Sequence, residues 1–206
     1  MSFVYILTNE AMPGLIKIGR TTTSVQQRIA ELNYPAGIPL PFTCYYAARV
    51  DDCVKVERKL HEAFGDHRIR ERREFFRLSP QRAQAALELA ALEDVTPREE
   101  IIDEFPDDAE KGLIKETRRR GSTTFTQYQI PIGSVLNFTK DSSITATVDS
   151  ERTVLFEGES MALSPAALLA VRSLGYNWKS AHGAAYWEFE GETIWDRGER
   201  LRETNE

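Results

Sequence analysis

Residues 3–9, FVYILTN, and residues 15–19, LIKIG, are two short apolar runs separated by a segment that contains a Pro-Gly pair. Pro-Gly is a turn dipeptide, and short runs rich in β-branched and aromatic residues on both sides of a turn are typical of paired strands. The pattern therefore predicts an antiparallel hairpin with strands over residues 3–8 and 14–19.

One polar side chain interrupts each run of this hairpin, Tyr5 in the first and Lys17 in the second. Side chains alternate between the two faces of a strand, so a hairpin can place both groups on one face. A strand that only fills a core needs no such pair. The hairpin therefore indicates an active site, although a strand tyrosine is also common in cores and a lone lysine is commonly a solvated edge residue.

The chain continues with helical and strand patterns in alternation up to about residue 93. Apolar residues at helical spacing follow hydroxyl or acidic caps, while aromatic and β-branched runs between them indicate strands. The predicted elements are a helix in TTTSVQQRIAELN (21–33), a strand in FTCYYAARV (42–50), a helix in VDDCVKVERKLHEAFG (50–65), a short strand in REFFRL (73–78) and a helix in SPQRAQAALELAALE (79–93).

The second half has a different texture, in which short strands alternate with Gly, Asp and Ser turns. The predicted strands lie in 123–131, 134–140, 143–150 and 152–158, around 186–189 and around 193–195. LSPAALLAVRSLGY (163–176) is a predicted helix capped by Ser164. We therefore predict an α+β protein in which an N-terminal three-stranded sheet with helices is followed by a second small α+β domain. The expected boundaries are 1–92, a charged linker or connecting helix at 93–120, and 121–206.

Charge is distributed unevenly along the 206 residues, whose net charge is −6. Residues 1–90 carry 13 Lys/Arg against 10 Asp/Glu, and residues 91–206 carry 13 against 22. The first domain can therefore present a positive surface to phosphate despite the acidic average. We find no apolar run of membrane-spanning length and no secretory signal pattern, so a cytoplasmic protein without a disulfide between Cys44 and Cys53 is expected.

Four further side chains of the first domain could take part in chemistry: Arg28, Glu57, His61 and Glu74. Glu57 and His61 are four residues apart on a predicted helix and share one face. Each of the four taken alone is more simply explained as a surface charge. Their order along the chain, together with the hairpin, is what favours a common site.

The ordered set VYI (4–6), KIG (17–19), Arg28, ERKLHEAF (57–64) and EFF (74–76) resembles the GIY-YIG nuclease superfamily. The branch it resembles most is the one named after a phage T5 open reading frame. The resemblance covers roughly residues 3–85. It implies a fold of the order β–β–α–β–α–α and hydrolysis of phosphodiester bonds in DNA.

The resemblance also implies roles for individual residues. Glu74 matches the glutamate that binds a divalent metal, Mg²⁺ or Mn²⁺, and Arg28 matches the arginine that contacts the scissile phosphate. The remaining matches are Tyr5 as the proton acceptor, Lys17 in place of the second tyrosine, Gly19 as the motif glycine and His61 as a recurring histidine. Arg20, directly after the second strand, is an additional candidate for contact with DNA.

These residue types suit phosphodiester hydrolysis, which needs an activated water and neutralisation of developing negative charge. Mg²⁺ prefers carboxylate and water ligands, so one glutamate together with phosphate oxygens can hold it. An arginine can bind two phosphate oxygens at once. Tyrosine normally has a pKa of about 10, and a neighbouring cation such as Lys17 is expected to lower the pKa of Tyr5.

In the second domain LSPAALLAV (163–171), the Asn-Trp pair at 177–178 and Trp187 resemble the restriction-enzyme-and-adenine-methylase-associated fold. That resemblance implies recognition of modified DNA, such as a substituted cytosine. Aromatic faces stack on bases, so Tyr176, Trp178 and Trp187 are the candidate base contacts. The alternative, that the tryptophans fill the core of a small domain, stays open at this point.

The sequence thus predicts a metal-dependent DNA endonuclease, most simply a modification-dependent restriction enzyme, with double-stranded DNA as its partner and a possible homodimer on DNA. Two alternatives remain. One is a DNA-binding or interaction protein whose nuclease fold is inactive. The other is a nuclease of repair or mobility that acts on unmodified DNA.

Overall fold

The chain divides into two compact units, Met1–Ile114 and Lys115–Glu206, and each contains helices and one antiparallel sheet. The predicted α+β class is confirmed. The computed structural model describes residues 1–9, 11–33, 40–70, 73–98, 124–176, 178 and 181–204. Most of the segment predicted as a linker or connecting helix, 93–120, lies outside the described residues.

Three strands form the centre of the first sheet, as the hairpin and the aromatic run predicted: β1 (Phe3–Thr8), β2 (Ile16–Thr21) and β3 (Thr43–Arg49). Two-residue strands extend the sheet at both edges, β4 (Phe75–Phe76) and β5 (Glu93–Asp94). The order is β4-β2-β1-β3-β5. The sheet therefore has five strands rather than three, and the start of the predicted linker is its last strand.

Three helices within the described residues accompany this sheet: α1 (Val25–Asn33), α2 (Cys53–Ala63) and α3 (Pro80–Glu88). Side-chain caps fix where the last two begin. Asp52 accepts a hydrogen bond from the Lys55 amide at 3.0 Å, and Ser79 accepts one from the Arg82 amide at 3.4 Å. Such caps satisfy amides that have no partner within the helix.

The core of the first unit attaches α1 to the face of β1 that carries Tyr5. Val25 and Ile29, one turn apart on α1, are buried against Tyr5 and Leu7. This packing brings the turn of α1 that contains Arg28 to the Tyr5 side chain. The apolar spacing of the helix therefore positions the arginine.

The second unit has a six-stranded sheet of order β11-β10-β6-β7-β8-β9. Its strands are β6 (Val135–Phe138), β7 (Asp141–Val148), β8 (Thr153–Phe156), β9 (Glu159–Ala162), β10 (Trp187–Phe189) and β11 (Glu192–Thr193). Its helices are α4 (Leu163–Ser173), α5 (Gly183–Tyr186) and α6 (Ile194–Glu203).

Two predictions for this unit were wrong, and a third was right only in part. The described part of 123–131 forms turns, because its backbone bonds are local, as in the 2.9 Å bond from the Ile130 amide to the Phe125 carbonyl. Ser164 lies inside α4, where its hydroxyl accepts a hydrogen bond from the Gly183 amide at 3.1 Å instead of capping the helix. The strand expected around 193–195 is present only at its start, as Thr193 of β11. From Ile194 the chain is helical, since Thr193 caps α6 through the Asp196 amide at 3.0 Å.

None of the helices that the structure describes combines the length and the apolar composition needed to cross a membrane.

Candidate active site

Tyr5 and Gly19 lie directly opposite each other in the β1–β2 ladder. The tyrosine is only 1% exposed, and its ring lies against the glycine backbone. A Cβ atom at Gly19 would come within 2.6 Å of the tyrosine hydroxyl oxygen and within 2.8 Å of the ring. The glycine of the motif is therefore required by the close approach of the Tyr5 ring.

Gly19→Ala is expected to move the Tyr5 ring and reduce cleavage, because a methyl group and the ring cannot occupy the same space. Overpacking of this kind costs about 1–3 kcal/mol of stability. Thermal unfolding together with a nicking assay measures both effects. Gly65→Ala is the matched control, since a Cβ there would meet no atom within 4 Å. Equal activity of the two variants would contradict the proposed role of the Tyr5–Gly19 contact.

The cation that acts on the Tyr5 hydroxyl is Arg28, which lowers the pKa of the phenol. Burial raises the pKa of Tyr5, and Arg28 lowers it by a smaller amount, so the pKa lies above its ordinary value. The expectation that Lys17 lowers the pKa of Tyr5 was therefore wrong. In the DNA-free chain the hydroxyl carries its proton at neutral pH.

Arg28 is partly buried on α1, directly before the buried Ile29. Its guanidinium interacts with the Tyr5 hydroxyl and forms an ion pair with Glu31 at 3.0 Å. Both contacts raise the pKa of Arg28. The side chain is 39% exposed, so it can meet a phosphate from solvent while Tyr5 orients it.

Lys17 forms an ion pair with Glu74. The lysine is 7% exposed as a residue, and its ammonium lies 5.6 Å from the centre of the Phe75 ring. Phe75 is the cross-strand partner of Lys17 in the β2–β4 ladder. Lys17 is therefore not a solvated edge residue, and the two-residue strand β4 is what brings Glu74 to it.

Glu74 remains ionised although it is partly removed from water. Burial raises the pKa of its carboxyl group, and Lys17 lowers it, with further contributions from His61 and Arg28, so the pKa lies below its ordinary value. The side chain is 42% exposed. A charged, accessible carboxylate is the kind of ligand that Mg²⁺ binds.

His61 contacts the sheet through its Nε2 atom, which lies 3.1 Å from the Ile18 carbonyl oxygen. Because a carbonyl can only accept, Nε2 is the protonated nitrogen, and in the neutral ring Nδ1 keeps a lone pair. The centre of the imidazole ring also lies 5.0 Å from the centre of the Phe76 ring. These contacts hold the imidazole between α2 and β2, close enough to Glu74 to affect its pKa.

Glu57, one turn before His61, binds a different partner. Its carboxylate accepts a hydrogen bond from Arg20 Nε at 2.8 Å. Arg20 is 40% exposed at the end of β2. The sequence placed Glu57 and His61 on one face, and the structure shows that the glutamate orients Arg20, a role that helical spacing alone could not reveal.

The candidate residues of the first unit thus form two groups across β1 and β2. One is Tyr5 with Arg28, and the other is Lys17 with Glu74 and His61. They are connected because Arg28 also lowers the pKa of Glu74. Within the described residues no group of three or more His, Cys, Asp or Glu side chains could hold a metal ion. The donor set nevertheless fits Mg²⁺, which needs only one or two carboxylates when water and phosphate oxygens complete its shell. Glu74 is the residue that would hold it.

The aromatic candidates of the second unit lie elsewhere than predicted. Trp178 and Trp187 are 1% and 0% exposed, so neither has a face open to a base. Trp187 packs edge-on against Phe138 and Phe156 at 5.1 and 5.7 Å. Aromatic composition does not distinguish a core ring from a binding ring, and here both tryptophans are core residues.

Tyr176 is the candidate of the three that remains partly exposed. The centre of its ring lies 5.1 Å from the centre of the Trp178 ring. The Lys140 ammonium lies 5.6 Å from the centre of the Tyr176 ring. Asn177, the first residue of the Asn-Trp pair, lies outside the described residues.

A comparison with protein-family models finds a match in the first unit. Residues 2–91 match the T5orf172 domain. This is a family of endonuclease-like domains, and its match covers the elements that hold Tyr5, Lys17, Arg28, His61 and Glu74. No curated protein and no solved structure matches the chain significantly.

Proposed function

We propose that the chain is a metal-dependent DNA endonuclease whose active site lies in the T5orf172 domain. The observation that carries the proposal is the accessible carboxylate of Glu74, held ionised beside Lys17 and within electrostatic range of His61 and Arg28. If the Lys17–Glu74 ion pair served only stability, the neighbouring Tyr5 and Arg28 would not be needed.

Each residue has a definite task in this proposal. Arg28 binds a nonbridging phosphate oxygen, because a planar guanidinium fits that geometry and its side chain faces solvent. Tyr5 is the proposed proton acceptor for the attacking water. Because burial raises the pKa of its phenol, it can accept that proton only after its own proton has passed to solvent, and Arg28 favours the phenolate that results. Lys17 neutralises charge and orients Glu74, and His61, held by the Ile18 carbonyl, lies within electrostatic range of that carboxylate.

Glu74 is the proposed ligand of Mg²⁺ or Mn²⁺. The metal, when bound, neutralises charge on the phosphate oxygens as the bond breaks. A carboxylate that is already ionised and 42% exposed binds such a cation without first losing a proton.

The test is nicking of supercoiled plasmid by the full chain in Mg²⁺, with EDTA as the matched condition. We expect open-circular product in Mg²⁺ alone. Product formation that is equal in EDTA would contradict the metal dependence. DNA binding without any nicking in Mg²⁺ or Mn²⁺ would instead support the alternative of an inactive nuclease fold.

We further propose that the second unit directs the nuclease to modified cytosine in double-stranded DNA. The support is the resemblance of residues 163–187 to a fold that accompanies restriction enzymes, together with the half-buried Tyr176 ring next to Lys140. A ring beside a cation can stack on a base while the ammonium meets a phosphate. The buried tryptophans take no part.

Cleavage of matched plain and cytosine-modified duplexes by the full chain decides between the targets. Preference for the modified duplex is expected, with a reduced preference in Tyr176→Ala. Equal cleavage of both duplexes would favour the alternative of a repair or mobility nuclease and would leave the endonuclease proposal intact.

A further inference from the structure

Two short backbone segments, one of which contains Glu74, pair with each other through hydrogen bonds that are not part of the regular strand ladders. They are residues 67–70 and 73–77, named here the arginine arms. The Arg77 amide donates to the His67 carbonyl at 2.8 Å, and the Ile69 amide donates to the Phe75 carbonyl at 3.0 Å. Because the second arm contains β4, which pairs with β2, the arms extend the edge of the sheet next to the active site.

The arginine arms concentrate positive charge on an acidic protein. Their described residues include four arginines, and the one carboxylate among them, Glu74, is paired with Lys17. Arg70 and Arg73 are exposed, and within the described residues neither forms an ion pair. Three arginines elsewhere in the first unit have carboxylate partners, in the pairs Arg20–Glu57, Arg28–Glu31 and Arg49–Glu93.

Local contacts hold the arms in a fixed conformation. Arg68 Nε donates to the Arg73 carbonyl at 2.7 Å, and its guanidinium lies 5.6 Å from the centre of the Phe76 ring. The Arg73 amide also donates to the Arg70 carbonyl at 2.9 Å. Arg68 therefore links the two arms, and contacts already made in the free protein lower the entropic cost of binding a ligand.

We propose that the arginine arms bind the phosphate backbone of duplex DNA beside the scissile bond, through Arg70 and Arg73. The proposal rests on the nuclease function proposed above. Contacts of this kind position DNA without reading its sequence. On a chain with a net charge of −6, repulsion of DNA has to be overcome locally, and the arms supply that charge next to Glu74.

The test is the salt dependence of DNA binding by the full-length Arg70→Gln/Arg73→Gln variant. Binding of an unmodified duplex is measured by fluorescence anisotropy in EDTA over a series of KCl concentrations. Each phosphate contact contributes about −0.9 to the slope of log K against log [salt], so the slope should become less negative by about 1.8. Arg49→Gln/Arg82→Gln removes two solvent-accessible arginines of the same unit outside the arms and should keep the wild-type slope.

A wild-type slope in Arg70→Gln/Arg73→Gln would overturn the proposal, and so would an equal change in the control variant. Plasmid nicking in Mg²⁺ is measured in parallel on all three proteins. A wild-type chain that neither binds nor nicks DNA would overturn the nuclease function itself. A chain that nicks DNA while the arm variant keeps the wild-type slope would overturn only the role of the arms.

Discussion

Glu74→Ala is expected to abolish Mg²⁺-dependent nicking, with a loss of at least about a hundredfold, or roughly 2.7 kcal/mol of barrier. The reason is that Glu74 is the carboxylate that the structure holds ionised and accessible between Lys17 and His61. The measurement is the single-turnover nicking rate in Mg²⁺, accompanied by isothermal titration of the metal to the DNA-free protein.

Removing Glu74 also leaves the ammonium of Lys17, a residue only 7% exposed, without its partner. A charge left unpaired in a poorly solvated place destabilises the fold. Glu74→Gln keeps the shape and an oxygen acceptor for Lys17, so it separates catalysis from stability. It should stay folded and lose both metal binding and nicking.

Glu93→Gln is the matched control for this series. Glu93 is an exposed carboxylate on the opposite edge strand of the same sheet, paired with Arg49 at 2.9 Å. Its replacement should change neither metal binding nor nicking. Retention of full activity by Glu74→Gln would remove Glu74 as the metal ligand.

The hairpin, the helix positions and the order of the site residues could be read from the sequence because each depends on local spacing. Runs of β-branched and aromatic residues on both sides of a Pro-Gly turn define β1 and β2, and helical periodicity places Arg28 and His61. The pairing of Lys17 with Glu74 could not be read in this way. The two are 57 residues apart, and the strand that joins them has only two residues, too few to show a period.

The second unit shows where pattern and structure diverge. The run at 123–131 has the composition of a strand, but the bonds of its described part are local, so it forms turns. Trp187 and Tyr176 are both aromatic, so their residue type does not show which of them is buried. Trp187 is buried because Phe138 and Phe156 pack against it, whereas Tyr176 is half-buried. Burial is a property of the assembled sheet, not of a short sequence window.

Arg28→Lys is expected to slow cleavage at least tenfold, about 1.4 kcal/mol of barrier. In the structure the guanidinium of Arg28 interacts with both Tyr5 and Glu31, and the Arg28 side chain is still 39% exposed. A lysine keeps the charge but offers one compact ammonium, so it cannot hold Tyr5 and two phosphate oxygens at once. The measurement is single-turnover cleavage at saturating DNA, where weaker binding no longer limits the rate.

Glu31→Gln is the control for Arg28→Lys, because it removes the surface ion pair and leaves the guanidinium and Tyr5 in place. Exposed pairs contribute little to stability, so this variant should cut at nearly the wild-type rate. If Arg28→Lys also cuts within about threefold of wild type, a difference of about 0.7 kcal/mol, Arg28 is only a surface charge. A tenfold loss in Arg28→Lys but not in Glu31→Gln would show that the cleavage rate depends on the guanidinium. Both variants alter the ion pair between Arg28 and Glu31, but only Arg28→Lys alters the group that interacts with Tyr5.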